Sequence, residues 1–316
     1  MVMDPTTPVM KPESEWTSNI YDNYARSNNS EVHNPVASMD RLFKKTNEYA
    51  LLANPYISIE PIKGLTLRSQ FGINARFRLY DEFTPKYDIH SLERNDYSTA
   101  KREHKSWVDW NWTNTATYMK TFEEKHNLTA MAGYTMERFQ HYKLMGSRDN
   151  TPTNDELLHY VNAGTLNPQA EGIDEYSSLI SYLGRIMYNY DNKYYLTGSV
   201  RVDGSSRFPS GNKYATFPAF SLAWRVTGEN FMKSQKIFDD LKLRGGWGRV
   251  GNQSIGLSAY YSTIGGGDYV FGDSGNREIG TAVSSIGNTT LKWETVEDYN
   301  IGVDMTLLSN LLTVSA

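Results

Sequence analysis

Long runs of alternating apolar and largely polar residues constrain this chain more than any other feature. Residues 177–190 show this alternation, and residues 194–203 repeat it after a tight turn at Asp191 and Asn192. A period of two is typical of a β-strand with one apolar and one polar face. The pattern returns at 217–226 and 298–307. Soluble strands average about five or six residues, so these longer runs predict strands that can cross a bilayer, which takes about nine to eleven residues.

The connections between these runs alternate in length. Short turns followed by long polar loops are typical of a transmembrane antiparallel β-barrel. A soluble antiparallel sandwich also alternates along its strands, but strand length, aromatic residues near strand ends and one-sided loops favour the barrel. The short turns are Pro61–Gly64, Thr121–His126, Asp191–Lys193 and Ser309–Asn310, a medium one is Thr227–Asp240, and the long loops are 79–105, 146–174 and 251–291.

The composition argues against several classes of function. The chain has 22 tyrosines, which suit a boundary between apolar and wet surroundings, and a net charge of −4, which gives no general attraction to nucleic acid. It has no cysteine and no run of 18 apolar residues, so thiolate sites and transmembrane helices are not expected. The first ten residues do not form a signal peptide. The chain is therefore cytosolic, or its beginning has been removed.

The stretch LKLRGGWGRVGNQ contains a G-x-G-x-x-G pattern at Gly246, Gly248 and Gly251. A dinucleotide site needs a helix after this pattern and an acidic residue about 20 positions further on. A polar, glycine-rich loop without helical periodicity follows instead, and Asp268 lies within it. The glycines are better explained by close packing in a barrel strand.

No motif indicates catalysis, a metal or a cofactor. The six histidines are scattered, without a pair at ligand spacing, and there is no nucleophile elbow or P-loop. Glu294 and Asp298 share one strand face and are the type of residue found in an acid/base pair. A hydrated, charged barrel wall is the simpler interpretation. We therefore predict no enzyme, no metal site and no cofactor.

The loop after residue 251 is the best candidate for ligand contact. Flat aromatic faces stack on sugars and peptides, although ordinary loop packing also uses such residues. The substrate-contact candidates are Tyr260, Tyr261, Tyr269 and Phe271.

Several long blocks of the chain resemble the SusC/RagA family of TonB-dependent outer-membrane transporters. They follow the family's order and cover most of the chain. The blocks are NPVASMD (34–40), EPIKGLTLRSQFGIN (60–74), WNWTNTATYMKTFEEKHNLTAMAGY (110–134), SYLGRIMYNYDNKYYL (181–196), YYLTGSVRVDGSSRFPSGNKYATFPAFSLAWRV (194–226), LKLRGGWGRVGNQSIG (241–256) and LKWETVEDYNIGVDMTLLSNLLTVS (291–315).

The resemblance implies an all-β fold, a transmembrane antiparallel barrel of roughly 22 strands closed by an N-terminal plug. Nine crossing strands and the start of another at Leu311 are visible here. We expect a partial barrel of about 9–10 strands, with residues 1–316 forming part of the C-terminal barrel domain and the plug, signal peptide and remaining strands absent. The side chains expected to face the lumen are Arg185, Arg201, Asp203, Arg225, Arg244, Glu294 and Asp298.

The resemblance also implies import of large nutrients, such as oligosaccharides or peptides, across the outer membrane. The implied partners are a SusD-like surface lipoprotein, outer-membrane lipid and the TonB energy-transducing complex, which would act through N-terminal parts that this sequence lacks. Two alternatives stay open. A soluble, aromatic-rich β-sandwich that binds glycans would be monomeric without detergent, and a passive porin of about ten strands would show single-channel conductance.

Overall fold

The computed structural model describes residues 4–29, 32–257, 259–270, 275 and 277–316. Within these ranges, none of the helices has the length and apolar character that crossing a membrane requires. The one α-helix assigned there is α1 (Pro35–Asp40). The strands are β1 (Phe43–Ala53), β2 (Tyr56–Ile62), β3 (Leu65–Thr84), β4 (Tyr87–His90), β5 (Glu93–Asn95), β6 (Thr99–Phe122), β7 (His126–Asp149), β8 (Leu166–Tyr190), β9 (Tyr194–Ser205), β10 (Tyr214–Arg225), β11 (Phe238–Asn252), β12 (Thr263–Gly266), β13 (Tyr269–Val270), β14 (Arg277–Glu278), β15 (Thr281–Ser285), β16 (Glu294–Leu307) and β17 (Leu312–Ser315).

One large sheet dominates this part of the chain. Its eleven strands follow the order β1-β3-β6-β7-β8-β9-β10-β11-β16-β17, and β2 also pairs with β3. Asn54 and Pro55 separate β1 from β2. Counting β1 and β2 as one interrupted strand leaves nine crossing strands and the start of a tenth, as predicted. A single antiparallel sheet that does not close on itself confirms the expected partial barrel and differs from the two sheets of a sandwich.

The predicted short turns are confirmed, and their backbone shows how they are made. Asp191 and Asn192 have φ of 50° and 52° and join β8 to β9. Glu123 and Glu124, with φ of 47° and 58°, join β6 to β7. Consecutive left-handed residues match the right-handed twist of a hairpin, and aspartate and asparagine tolerate this conformation better than most residues.

The predicted long loops between strands are shorter than expected. β3 continues to Thr84 and β6 begins at Thr99, while β7 continues to Asp149 and β8 begins at Leu166. These strand extensions lack the apolar face that marked the strands in the sequence, because stretches such as Lys101–Lys105 are polar at nearly every position. The third long loop also contains strands, since β12 pairs with β15 and β13 with β14.

The chain divides into two compact units. Unit 1 comprises residues 1–52, 74–108 and 140–175, and unit 2 comprises 53–73, 109–139 and 176–316. In unit 1, Tyr21, Tyr24 and Ala37 form a small buried cluster against Phe43 and Tyr87. The buried Asn34 side chain caps α1 by accepting hydrogen bonds from two backbone N–H groups. This segment before β1 is therefore a folded part of unit 1.

Unit 2 places large apolar side chains on its surface. On the face opposite the predicted charged residues, Leu222 is 55% exposed and Ile301 is 92% exposed. Register keeps them together, because Leu222 pairs with Gly245 and Gly245 pairs with Ile301. We call this the apolar face. An exposed apolar face on long strands is typical of a barrel wall in contact with lipid.

Candidate functional site

The seven side chains predicted to face the lumen share one face of unit 2, here called the polar face. Arg185 pairs with Ser199, Ser199 with Ala219, Ala219 with Gly248 and Gly248 with Asp298. Because side chains alternate along a strand, residues an even number of positions away share that face. The other five are Arg201, Asp203, Arg225, Arg244 and Glu294.

Three of these arginines are held by carboxylates. Arg201 Nε lies 2.7 Å from an oxygen of Asp203, and its Nη2 donates to Ser181 Oγ at 3.0 Å. Arg225 Nε lies 2.6 Å from Asp240, and Arg244 Nε lies 3.2 Å from Asp304. These side chains are partly exposed, so the pairs add little stability. Their effect is to fix the direction of the remaining guanidinium N–H groups, which leaves oriented donors along the polar face.

The polar face also contains charges without such a partner. Among the described residues, Arg185 and Asp298 form no ion pair. Glu294 accepts a hydrogen bond from Asn252 at 2.8 Å rather than approaching Asp298. No group of three or more metal-ligating side chains occurs in the part of the chain that the structure describes. The arrangement provides a charged, hydrogen-bonding wall.

A second cluster, in unit 1, consists of residues that are not among the candidates predicted from the sequence. The Arg76 guanidinium lies 4.4 Å from the centre of the Trp107 ring. The His141 ring is parallel to Trp107 at a centroid distance of 5.2 Å. Arg76 also pairs with Glu48 at 3.9 Å, and His141 with Glu175 at 3.5 Å. The alternation of Arg76, Arg78, Tyr80 and Glu82 along β3 is the signal that would have found it.

The loop between β11 and β16 brings two of the four aromatic candidates together. The rings of Tyr260 and Tyr261 are 3.9 Å apart between centroids and tilted by 37°. Tyr260 donates its hydroxyl proton to the Tyr261 oxygen at 2.7 Å. Tyr269 is exposed and lies in β13, where it pairs with Glu278. Phe271 lies outside the described residues.

The hydrogen bond to Tyr261 raises the pKa of Tyr260 to about 12, with burial adding to the effect. Ionisation would remove the donated proton, so the bond favours the neutral phenol. We expect Tyr261→Phe to lower the pKa of Tyr260 toward the ordinary tyrosine value of about 10, measured by ultraviolet titration of the full-length protein against wild type. Tyr269→Phe should leave the titration of Tyr260 unchanged. An unaltered Tyr260 pKa in Tyr261→Phe would contradict the assignment.

The glycines of the G-x-G-x-x-G pattern belong to a wall strand. All three lie in β11 and pair with residues of β16. A Cβ on Gly248 would lie 3.2 Å from that of Ala219, and one on Gly251 would collide with the Phe217 ring. Close approach of neighbouring side chains explains these glycines, and the nucleotide interpretation has no structural support at this position.

Comparison with known proteins identifies the family. Residues 13–316 match the family model described as TonB dependent receptor-like, beta-barrel. The chain belongs to the TonB-dependent receptor family. This places it in an outer-membrane β-barrel, as the resemblance to the SusC/RagA group implied.

Several TonB-dependent receptors are similar to this chain in sequence. TonB-dependent receptor P39 of Formosa agariphila is 31% identical over 299 residues, which cover 94% of this chain and 28% of that protein. TonB-dependent receptor SusC of Bacteroides thetaiotaomicron is 39% identical over 142 residues, which cover 43% of this chain and 14% of SusC. The chain thus spans less than a third of the length of the receptors it matches.

The fold is similar to that of the RagAB peptide transporter. The TM-score is 0.80 at 24% identity, with 89% of this chain and 31% of the transporter chain covered. A second structure, of the RagAB peptide importer in an open-open state, gives a TM-score of 0.79 at 24% identity, with 89% of this chain and 30% of that chain covered. These similarities support the barrel fold.

Proposed function

We propose that residues 1–316 are part of the barrel domain of a receptor that imports large nutrients, oligosaccharides or peptides, across the outer membrane. The observation that carries this proposal is the shared polar face of β8–β11 and β16, which opposes an exposed apolar face in a TonB-dependent receptor chain. In a barrel wall the apolar face contacts lipid and the polar face lines the interior. Arg185, Arg201, Asp203, Arg225, Arg244, Glu294 and Asp298 would then face the lumen.

The chemistry of the polar face suits a hydroxyl- or amide-rich solute. Fixed guanidinium groups and carboxylates alternate along it, and these groups donate to and accept from sugars and peptide bonds. In this proposal the protein acts as a transporter, without catalytic residues. A SusD-like lipoprotein would cover the long loops, and TonB would supply energy. The similarity to SusC supports the lipoprotein partner.

The loop between β11 and β16 is the proposed substrate contact. Tyr260 and Tyr261 lean on each other, so each ring has one face turned away from its neighbour. A flat exposed ring suits stacking on a sugar or on a peptide side chain. Tyr269, in β13, which pairs with β14, offers a third ring.

Replacing residues 260–287 with a Gly-Ser linker in the full-length receptor tests this proposal. The backbone N–H of Asn288 donates to the Ala259 carbonyl at 3.1 Å, so the linker joins neighbouring points. The replacement leaves in place Arg207, which donates to the Ile255 carbonyl, and Asn212, which donates to the Leu291 carbonyl. We expect uptake to fall about tenfold, or roughly 1.4 kcal/mol, because the aromatic contacts are lost.

Uptake is measured in whole cells with a fluorescent oligosaccharide and a fluorescent peptide offered separately. Receptor level in the outer membrane, measured on the same cells, should stay unchanged. A strain without TonB provides the reference for uptake that needs no energy. Wild-type transport rates retained by the linker variant would count against the loop assignment, and transport of neither probe by the wild type would count against the substrate classes.

A further inference from the structure

The connection between β9 and β10, residues 206–213, lies against both ends of the loop between β11 and β16. We call this connection the anchor segment. β9 begins beside the short turn at 191–193 and pairs antiparallel with β10, which pairs antiparallel with β11. The anchor segment and the loop between β11 and β16 therefore leave the sheet at the same end, away from the short turns.

The anchor segment is itself fixed to the wall. The Ser206 N–H donates to the Ser178 carbonyl of β8 at 3.0 Å, and the Ser178 N–H donates to Ser206 Oγ at 2.9 Å. A turn closes where the Asn212 N–H donates to the Pro209 carbonyl at 3.0 Å. Gly211 within this turn has φ of 123°, a conformation that glycine adopts readily. The segment thus has a defined shape and a firm attachment to β8.

The anchor segment holds the end of the loop that returns to β16. Asn212 Nδ2 donates to the Leu291 carbonyl at 3.1 Å, and Trp293 Nε1 donates to the Lys213 carbonyl at 2.9 Å. The fully buried Phe208 ring stacks on Trp293 at a centroid distance of 4.9 Å, and ring pairs of this geometry stabilise beyond their buried area. Two side-chain hydrogen bonds and one ring contact therefore fix the backbone just before β16.

The anchor segment also holds the end of the loop that leaves β11. Arg207 Nη1 donates to the Ile255 carbonyl at 2.9 Å, and Arg207 Nη2 donates to Ser177 Oγ at 3.4 Å. A planar guanidinium loses less side-chain entropy for each hydrogen bond it makes than a flexible ammonium does. The same short connection therefore fixes both ends of the loop.

Contacts continue from the returning end of the loop to the tyrosine pair. The Leu291 N–H donates to the Asn288 carbonyl at 3.3 Å, and the Asn288 N–H donates to the Ala259 carbonyl at 3.1 Å. A Cβ on Gly287 would lie 2.3 Å from the backbone carbonyl carbon of Tyr261, so only glycine permits this approach of the two chain segments. The backbone that carries the tyrosine pair thus rests on residues next to those that the anchor segment holds.

We propose that Asn212 and Trp293 are positioning residues for substrate binding. They hold the returning end of the loop, and through it they keep Tyr260 and Tyr261 in one arrangement. A loop that is ordered before binding spares the entropy cost of ordering it on the substrate. Neither positioning residue needs to touch the substrate. This inference rests on the proposed role of the loop in substrate contact.

The first test needs no substrate, because it follows hydrogen exchange of the Asn288 amide in the full-length receptor. Asn212→Ala and Trp293→Phe each remove one side-chain donor at a partly exposed position. We expect exchange about fivefold faster in each, the effect of one net hydrogen bond of about 1 kcal/mol. Trp224→Phe is the matched control, since its indole N–H donates to Glu229 at 3.3 Å, beside the short turns. Exchange at the wild-type rate in both variants, or equal acceleration in the control, would overturn the proposal.

The second test measures uptake in whole cells against the concentration of a fluorescent oligosaccharide or a fluorescent peptide, offered separately. We expect Asn212→Ala to raise KM, the probe concentration that gives half-maximal uptake, about fivefold. Maximal uptake and receptor level should stay unchanged, whereas a role in barrel stability alone would lower both. In the variant with a Gly-Ser linker in place of residues 260–287, Asn212→Ala should have no further effect, because the tyrosines are absent.

The outcomes separate this inference from the proposed function. The same rise in KM with and without residues 260–287 would overturn the inference, because Asn212 would then act on something other than the loop. Reduced uptake by the linker variant, combined with a wild-type KM in Asn212→Ala, would also overturn it and leave the loop as the substrate contact. Unchanged uptake by the linker variant would instead contradict the proposed function of the loop, and with it the inference that depends on it.

Discussion

Val200→Lys should destabilise the membrane-embedded barrel by about 2–4 kcal/mol. Val200 lies on the apolar face, six residues from Tyr194 and four from Gly204, close to the middle of the span between Tyr194 at one end of β9 and Gly204, which pairs with Tyr214 of β10, at the other. It pairs with Gly184 and Pro218, neither of which offers a partner for an ammonium group. A lysine at the bilayer centre has to thin the membrane or stretch toward its surface. Either response lowers the stability of the folded barrel in the membrane.

The measurement is a urea titration of the full-length receptor folded into phosphatidylcholine vesicles, followed by the fraction of heat-modifiable protein. Thr197→Lys is the matched control, because Thr197 lies on the polar face between Met187 and Ser221. We expect the free energy of unfolding of this control to lie within about 1 kcal/mol of the wild-type value. Equal destabilisation by both lysines would show that the face assignment is wrong.

Glu93→Gln should destabilise the segment before β1 by about 3–5 kcal/mol, because it leaves the buried Arg41 guanidinium without its carboxylate partner. Arg41 Nη2 lies 2.7 Å from Glu93 Oε1, and the two side chains are only 7% and 1% exposed. Arg41 also stacks on the Tyr87 ring at 3.9 Å and donates from Nε to the Ala37 carbonyl at 2.8 Å. The pair therefore joins α1 to the strands β4 and β5.

Hydrogen exchange of the full-length receptor tests this expectation, with the amides of α1 as the readout. The nearby pair of Arg94 and Asp96, 2.6 Å apart and with both side chains half exposed or more, provides the control. Asp96→Asn should change the opening free energy of the α1 amides, obtained from their exchange rates, by less than about 1 kcal/mol. Comparable exchange in the two variants would mean that burial of the Arg41–Glu93 pair has no energetic weight.

Much of the sheet was predictable because strands that cross a membrane alternate apolar residues on one face with polar residues on the other. Where β8–β11 and β16 present an apolar face, alternation predicted the strands, the charged residues that share a face and the turn at Asp191–Asn192. The same rule failed at Arg102 and Glu103, where β6 continues without an apolar face to mark it. Backbone hydrogen bonding to neighbouring strands holds such segments, and those partners are far away in sequence.

The candidate site was predictable only in part, for a related reason. Periodicity shows which side chains share a face, so Arg201 and Asp203 could be grouped from the sequence. It does not show which distant residues meet, so the contact of Trp107 with His141 and the pairing of Arg41 with Glu93 could not be predicted from it. The contact between Tyr260 and Tyr261 depends on the shape of the loop, and adjacent positions alone did not specify it.

The order of strands in the sheet has a consequence for how the chain folds. Successive members of the large sheet are neighbours in sequence, from β6 through β11 and then β16 and β17. Each pairing then requires the closing of a single connection, whose entropy cost grows only with the logarithm of its length. Joining β16 to β11 across 253–293 costs about 2 kcal/mol more than joining β9 to β8 across 191–193. Hairpins such as β8–β9 can therefore form early. The strands beyond the longest loop are expected to pair last.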